Sequence, residues 1–194
     1  MAKLYFKYGA MNCGKTTALL QAAFNYKEKG MRTLVIKPTT DSKGGKHVVS
    51  RIGAGLKVDH ISDTNEDLFE YINRSSNLSC VLVDEAQFLT TKQVDQLFNV
   101  AAQLNIPVIC YGLRTDFKTS AFPGSSRLLQ IAHNLEELKT ICRCGKKAVL
   151  NARKVDNEFT SSGGQVAIDG EDSVSYESLC GSCYIKLVGS VSAE

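Results

Sequence analysis

Apolar residues gather along this chain in short unbroken runs: Thr33-Leu34-Val35-Ile36, Cys80-Val81-Leu82-Val83 and Ile106-Pro107-Val108-Ile109-Cys110-Tyr111. A strand with one wet face alternates apolar and polar positions, so runs without alternation predict strands covered on both faces, as in a parallel sheet. Between the runs the spacing turns helical. Val94, Leu97, Phe98 and Ala101 share one face of a predicted helix from Thr90 to Leu104. Leu68, Phe69 and Ile72 give a second helical stripe reaching about Asn77, behind a capping sequence in which Glu66 stands three residues after Asp63. Leu4, Tyr5, Phe6 and Tyr8 predict a first strand; the helix that begins at about Thr17 runs to about Lys29, where Gly30 offers the left-handed residue that ends one. Alternating strands and helices predict an α/β fold, an open parallel sheet with helices on both faces.

Less regular stretches divide the rest. Residues 38–47 are the most turn-rich and polar, and read as a mobile loop; Val48–Ile52 and Leu56–Val58 read as short extended pieces. Residues 112–126 read as loop and Leu128–Ala132 as a short helix, while 145–179 are rich in Gly, Ser, Asp and Asn and show no helical period. The change of character predicts a nucleotide-binding domain over 1–140 and a small appended one over 141–194, with a loose tail from Gly189.

Candidate chemistry begins right after the first strand. Gly9-Ala10-Met11-Asn12-Cys13-Gly14-Lys15-Thr16 fits the phosphate-loop pattern G-x-x-x-x-G-K-[ST], between a strand and a helix that opens at Thr17. Backbone N–H groups of such a loop cradle phosphate oxygens, Lys15 neutralises charge and the Thr16 hydroxyl can ligate Mg²⁺. Asp84-Glu85 ends the run Val81-Leu82-Val83, at the sheet edge where ligands of open α/β folds bind. An acid there holds Mg²⁺ and a following Glu activates the attacking oxygen, so Asp84 is the metal-side candidate and Glu85 the base. An alcohol acceptor makes the protein a kinase; water makes it a hydrolase.

Charge changes the picture little. Lys+Arg 23 against Asp+Glu 20 leaves +3 over 194 residues, too slight to imply a nucleic-acid or membrane partner. No apolar stretch approaches the length that spans a bilayer, and Met1-Ala2-Lys3 leads straight into the first strand, so the expectation is a soluble, cytoplasmic protein. Of seven cysteines, Cys13, Cys80 and Cys110 stand singly and read as small buried or neutral residues. Cys142-Arg143-Cys144 and Cys180-Gly181-Ser182-Cys183 form two close pairs that satisfy a structural, four-thiolate zinc site; pairwise disulfides or unligated thiols are the alternative.

Taken together, the loop with Met11 inside it, Val83-Asp84-Glu85-Ala86-Gln87-Phe88, Tyr111-Gly112-Leu113-Arg114-Thr115-Asp116-Phe117, Leu138-Lys139-Thr140-Ile141-Cys142 and the late Tyr176 resemble the zinc-containing thymidine kinases. The likeness runs from about Leu4 to Tyr184. It implies transfer of the γ-phosphate of ATP to the 5′-hydroxyl of thymidine, a homotetramer, and inhibition by thymidine triphosphate. It implies Glu85 as base, Asp84 with Thr16 on the Mg²⁺ side, and Met11, Gln87, Phe88, Leu113, Phe117 and Tyr176 around the thymine base. The stretch from about Arg153 to Tyr176 resembles the lasso of that family, with Val166, Ile168 and Gly170 as thymine contacts, and Asp41 and Arg153 near the phosphates. Two departures stand out: Asp41-Ser42-Lys43 where the family often has Asp-x-Arg, and Asp169 with a longer spacing to Tyr176 where it has Ile-Gly-Gly. Without the resemblance, Phe88, Leu113 and Phe117 read as core residues. A second class is a phosphate-loop ATPase whose zinc ribbon binds nucleic acid or a partner protein; residues 156–178 hold six acids and no Lys or Arg, which counts against gripping a phosphate backbone.

Overall fold

The apolar runs form the middle of a parallel sheet in the computed structural model, which describes residues 1–39, 47–165 and 174–191. In chain order the elements are β1 (Leu4–Gly9), α1 (Lys15–Glu28), β2 (Arg32–Pro38), β3 (His47–Val49), β4 (Gly55–Lys57), β5 (His60–Ser62), α2 (Leu68–Asn73), β6 (Leu78–Val83), α3 (Thr91–Gln103), β7 (Val108–Leu113) and α4 (Pro123–Ile131). They continue with β8 (Asn134–Glu137), β9 (Thr140–Ile141), β10 (Lys147–Ala148), β11 (Leu150–Val155), β12 (Glu158–Thr160), β13 (Ser175–Leu179) and α5 (Gly181–Leu187).

Six strands pair in the order β5-β2-β6-β7-β1-β8, every pair parallel. Both faces are covered, as the runs predicted. Leu34, Ile36, Val81, Val83, Val108 and Cys110 point to one side, where α2, α3 and α4 pack. Val35, Cys80, Leu82 and Tyr111 point to the other, against Leu19 and Ala23 of α1. Burial pushes the Cys80 thiol up to about 11 and raises Cys110 as well, so both are inert packing groups.

Several boundaries differ from the sequence expectation for local reasons. The helix after Ser62 is capped by Asp67, whose side chain accepts from Glu70 N, and it stops at Asn73; Asp63 instead closes a turn by accepting from Asn65 N. Helix α4 opens at Pro123 inside the stretch expected to be loop, with Gly124 and Ser125 buried because the helix lies against the backbone of residues 86–89. A Cβ on Gly124 would come within 2.5 Å of Ala86 O. The extended pieces around Gly53 pair as the β3–β4 hairpin, and β5 adds an unexpected edge strand. Of the expected mobile loop, only Pro38, Thr39 and His47 fall within the described residues.

After β8 the architecture changes. β12-β11-β13 form an antiparallel sheet, and β9 pairs with β10 around the first cysteine pair. Their core is small: Cys142, Ala148, Ala152, Leu179, Cys180 and Tyr184.

Candidate active site

Parallel pairing brings the ends of three strands to one edge. Gly9 lies opposite Leu113, and Val83 opposite Cys110 on the other flank of β7, so the phosphate loop, Asp84-Glu85 and the Leu113 segment all leave the sheet at its carboxyl edge. The loop's first glycine is dictated by space, since a Cβ there would stand 2.4 Å from Leu138 O and 2.5 Å from Cys13 Sγ. Gly14, at φ 82, caps α1 in the left-handed region, a conformation glycine adopts without strain. Lys15 is buried and donates from Nζ to Ala10 O at 2.9 Å, which holds its charge inside the loop.

At the end of β6, Asp84 is buried. Glu85 follows at φ 48, a left-handed conformation that costs a non-glycine residue energy on the order of 1–3 kcal/mol. The turn is over-determined by its neighbours. Phe88 N donates to Glu85 O at 3.1 Å, and Gln87 Nε2 donates to Glu85 Oε2 at 2.5 Å while Gln87 Oε1 accepts from Leu113 N at 3.1 Å. A backbone N–H can only donate, so Leu113 orients the Gln87 amide with its NH₂ toward the carboxylate. Gln87 thereby ties the candidate base to the end of β7. Phe88 meets Phe122 edge to face at 5.5 Å, and the two rings with Gln87, Pro123 and Gln165 line an open groove of about 500 Å³.

The β11–β13 pair completes the wall. Asn151 lies opposite Ser178 and Arg153 opposite Tyr176, so all four side chains project from one face of that sheet, while Ala152 and Leu179 project from the other into the cysteine core. Asn151 Oδ1 accepts from Met11 N at 2.7 Å, and Ser178 Oγ donates to Met11 O. Arg153, 4% exposed, stacks its guanidinium 3.7 Å from the Phe117 ring centroid and donates from Nε and Nη2 to the Tyr176 hydroxyl at 3.0 and 2.9 Å. It stands one pleat repeat, about 7 Å, along the strand from Asn151. Phe117 is itself buried, and its carbonyl accepts from Tyr184 Oη at 2.6 Å.

The structure thus brings together Met11, Arg153, Phe117 and Tyr176 around one sheet face, and Glu85, Gln87, Phe88 and Leu113 around the ends of β6 and β7. Val166, Ile168, Gly170 and Asp41 lie outside the described residues. Sequence reasoning passed over Asn151 and Ser178. No local motif marks them, since their role depends on pairing across more than 25 positions of chain.

The two cysteine pairs converge. Sγ atoms of Cys142, Cys144, Cys180 and Cys183 all lie within 4.8 Å of one another. Four thiolates at a zinc–sulfur distance near 2.3 Å would stand about 3.8 Å apart, so this donor set suits a closed tetrahedral metal site. Burial alone would raise Cys142, yet backbone hydrogen bonds from Cys144 and Cys180 outweigh it and bring the thiol down to about 6; a backbone hydrogen bond from Cys183 lowers Cys180 too. These backbone bonds favour thiolates at Cys142 and Cys180, while side-chain hydrogen bonds with Cys144, Cys142 and Cys180 push the Cys183 thiol up to about 12.

Fold and edge together define a phosphate-loop α/β nucleotide-binding protein with a cysteine-clasped sheet against its loop. A family model described as thymidine kinase matches residues 2–184. The thymidine kinase of Novosphingobium aromaticivorans is 50% identical over 185 residues, covering 93% of this chain and 95% of its own length. Those of Shewanella oneidensis and Mannheimia succiniciproducens are 50% and 49% identical, each across 93% of this chain and 95% and 93% of their own lengths. The chain belongs to the thymidine kinase family. Among its described residues, no helix is long and apolar enough to cross a membrane.

Proposed function

We propose that the chain transfers the γ-phosphate of ATP to the 5′-hydroxyl of thymidine, giving thymidine monophosphate for DNA precursor synthesis. Family membership supports the activity. The observation that carries the assignment of roles is the shared sheet edge, where the phosphate loop and Glu85 leave the two strands that flank β7. The loop from Gly9 through Thr17 holds the ATP phosphates by those backbone N–H groups that face its interior, with Lys15 exchanging Ala10 O for phosphate oxygen. Glu85 accepts the proton of the 5′-hydroxyl as that oxygen attacks phosphorus, and Gln87 keeps the carboxylate aimed. Met11, Phe88, Leu113, Phe117 and Tyr176 shape a flat apolar slot for thymine, closed by Val166, Ile168 and Gly170.

Carboxylate and hydroxyl oxygens suit Mg²⁺, which Asp84 and Thr16 would hold and which would neutralise charge on the β- and γ-phosphates. Zinc on the four cysteines is structural, and a reducing cytoplasm keeps those thiols available. Arg153 and Asp41 belong to the phosphate side in this reading; Arg153 reaches it by leaving Tyr176. Two further parts rest on the resemblance alone, inhibition by thymidine triphosphate and a homotetramer. Phe24, Ile52, Ile141 and Ile185, each more than half exposed, are apolar surface that assembly would cover.

A radiolabel assay with [γ-³²P]ATP and a panel of nucleosides tests the reading. Label is expected on thymidine and deoxyuridine. Phosphate release that no nucleoside stimulates would point to a hydrolase instead.

A further inference from the structure

We propose that the cysteine-clasped sheet sets the peptide planes of the phosphate loop, with Ser178, Asn151 and Thr140 as positioning residues for the ATP phosphates. The inference rests on the reading of Gly9–Thr16 as the site of those phosphates. Every peptide bond among the described residues is trans, so the carbonyl of one residue and the N–H of the next point in opposite directions. A side chain that holds one end of a peptide therefore aims the other end.

Three consecutive peptides are held this way. Asn151 Oδ1 takes the Met11 N–H toward the β11–β13 sheet, and the other end of that peptide, Ala10 O, faces away from the sheet and receives Lys15 Nζ at 2.9 Å. Lys15 thus marks the interior of the loop. Ser178 Oγ then holds Met11 O on the sheet side, which turns the Asn12 N–H to the interior. Thr140 Oγ1 lies 3.4 Å from Asn12 O, which turns the Cys13 N–H the same way. Asn12 sits at φ 62 and Gly14 at φ 82, and successive N–H groups converging around left-handed residues make an anion-binding concavity.

The left-handed region strains a residue that carries a Cβ, such as Asn12, and outside contacts help to hold it there. Asn151 and Ser178 supply them from positions 3% and 6% exposed, where water does not compete. Asn151 is held in turn, donating from Nδ2 to Thr115 O at 3.0 Å. Thr140 and Ser178 each stand two residues before a cysteine of the cluster, Cys142 and Cys180. The clasp therefore anchors the ATP site directly, beyond any part it plays around the nucleoside.

The test measures binding of a nonhydrolysable ATP analogue with Mg²⁺ to the full chain by calorimetry, beside the KM for thymidine and metal content. Ser178→Ala is expected to weaken analogue binding about five- to thirtyfold, with metal content unchanged and a much smaller change in the thymidine KM. Ser178→Thr, which keeps a hydroxyl, is expected to restore most of the affinity. Equal losses for ATP and thymidine would mean general loosening and overturn the proposal. Lys15→Ala separates the two readings: wild-type analogue binding there defeats the phosphate-loop assignment itself. If Lys15→Ala loses the analogue while Ser178→Ala binds it normally, only the present inference falls. Should Ser178→Ala not fold, Thr140→Val is the substitute, with an expected loss of about two- to fivefold; undiminished affinity in that variant overturns the proposal.

Discussion

The parallel sheet and the β11–β13 sheet stand side by side at the phosphate loop but are held together by different means. The first is a stack of apolar strands between helices, with Leu4, Phe6, Leu82, Leu97 and Tyr111 all at most 1% exposed. The second has six buried core residues, two of them cysteines, and on the same face Glu177 pairs with Arg143 at 2.6 Å and Lys154 at 2.7 Å. So small a core cannot offset the entropy of ordering its strands, which is why a thiolate cluster sits at its base. The polar face that remains, Asn151, Arg153, Tyr176 and Ser178, is turned to the phosphate loop and to Phe117. The covered parallel sheet carries the phosphate loop and Asp84-Glu85, and the sheet beside the cysteine cluster supplies a wall against that loop.

That contrast can be broken most sharply at the metal. Cys183→Ser is expected to abolish metal binding and unfold β11–β13 locally while the parallel sheet remains, seen as lost metal by elemental analysis and lost amide protection confined to residues 140–187. Four-ligand zinc sites contribute on the order of 10–16 kcal/mol, more than any single side chain in this chain can. Unchanged metal content would refute the four-thiolate site. The complementary change is Leu97→Ala in the fully buried face of α3, expected to cost about 2–5 kcal/mol in chemical denaturation and to leave metal content alone. Metal loss in that variant would show that the two regions do not stand on separate footings.

The same division governs what could be read in advance. Wherever burial sets the structure, the pattern was legible. The unalternating runs at Leu34, Val81 and Val108 announced a covered parallel sheet, and Thr90 announced the start of α3, where it forms a capping box with Gln93. The phosphate loop, Asp84-Glu85 and the converging cysteines were legible because their chemistry fixes residue type and spacing. What escaped depends on long-range fit. Gly124 and Ser125 look like loop residues until α4 is seen pressed on the backbone below it. Asp67, not Asp63, caps α2, a choice between two acids four residues apart that only packing decides. Arg153 meets Tyr176 and Asn151 meets Ser178 through an antiparallel register that no local period encodes. Helix α5 went unread because Gly181 and Ser182, between two cysteines, carry no helical signal of their own.

The most direct test of the account is phosphoryl transfer by Glu85→Gln. The substitution keeps the shape of the side chain and its contact with Gln87 but removes the proton acceptor. Turnover of thymidine is expected to fall about 10²–10⁴-fold, with ATP-analogue binding within about twofold of wild type. Near-normal turnover in that variant would contradict Glu85 as the base and with it the mechanism assigned to this edge of the sheet.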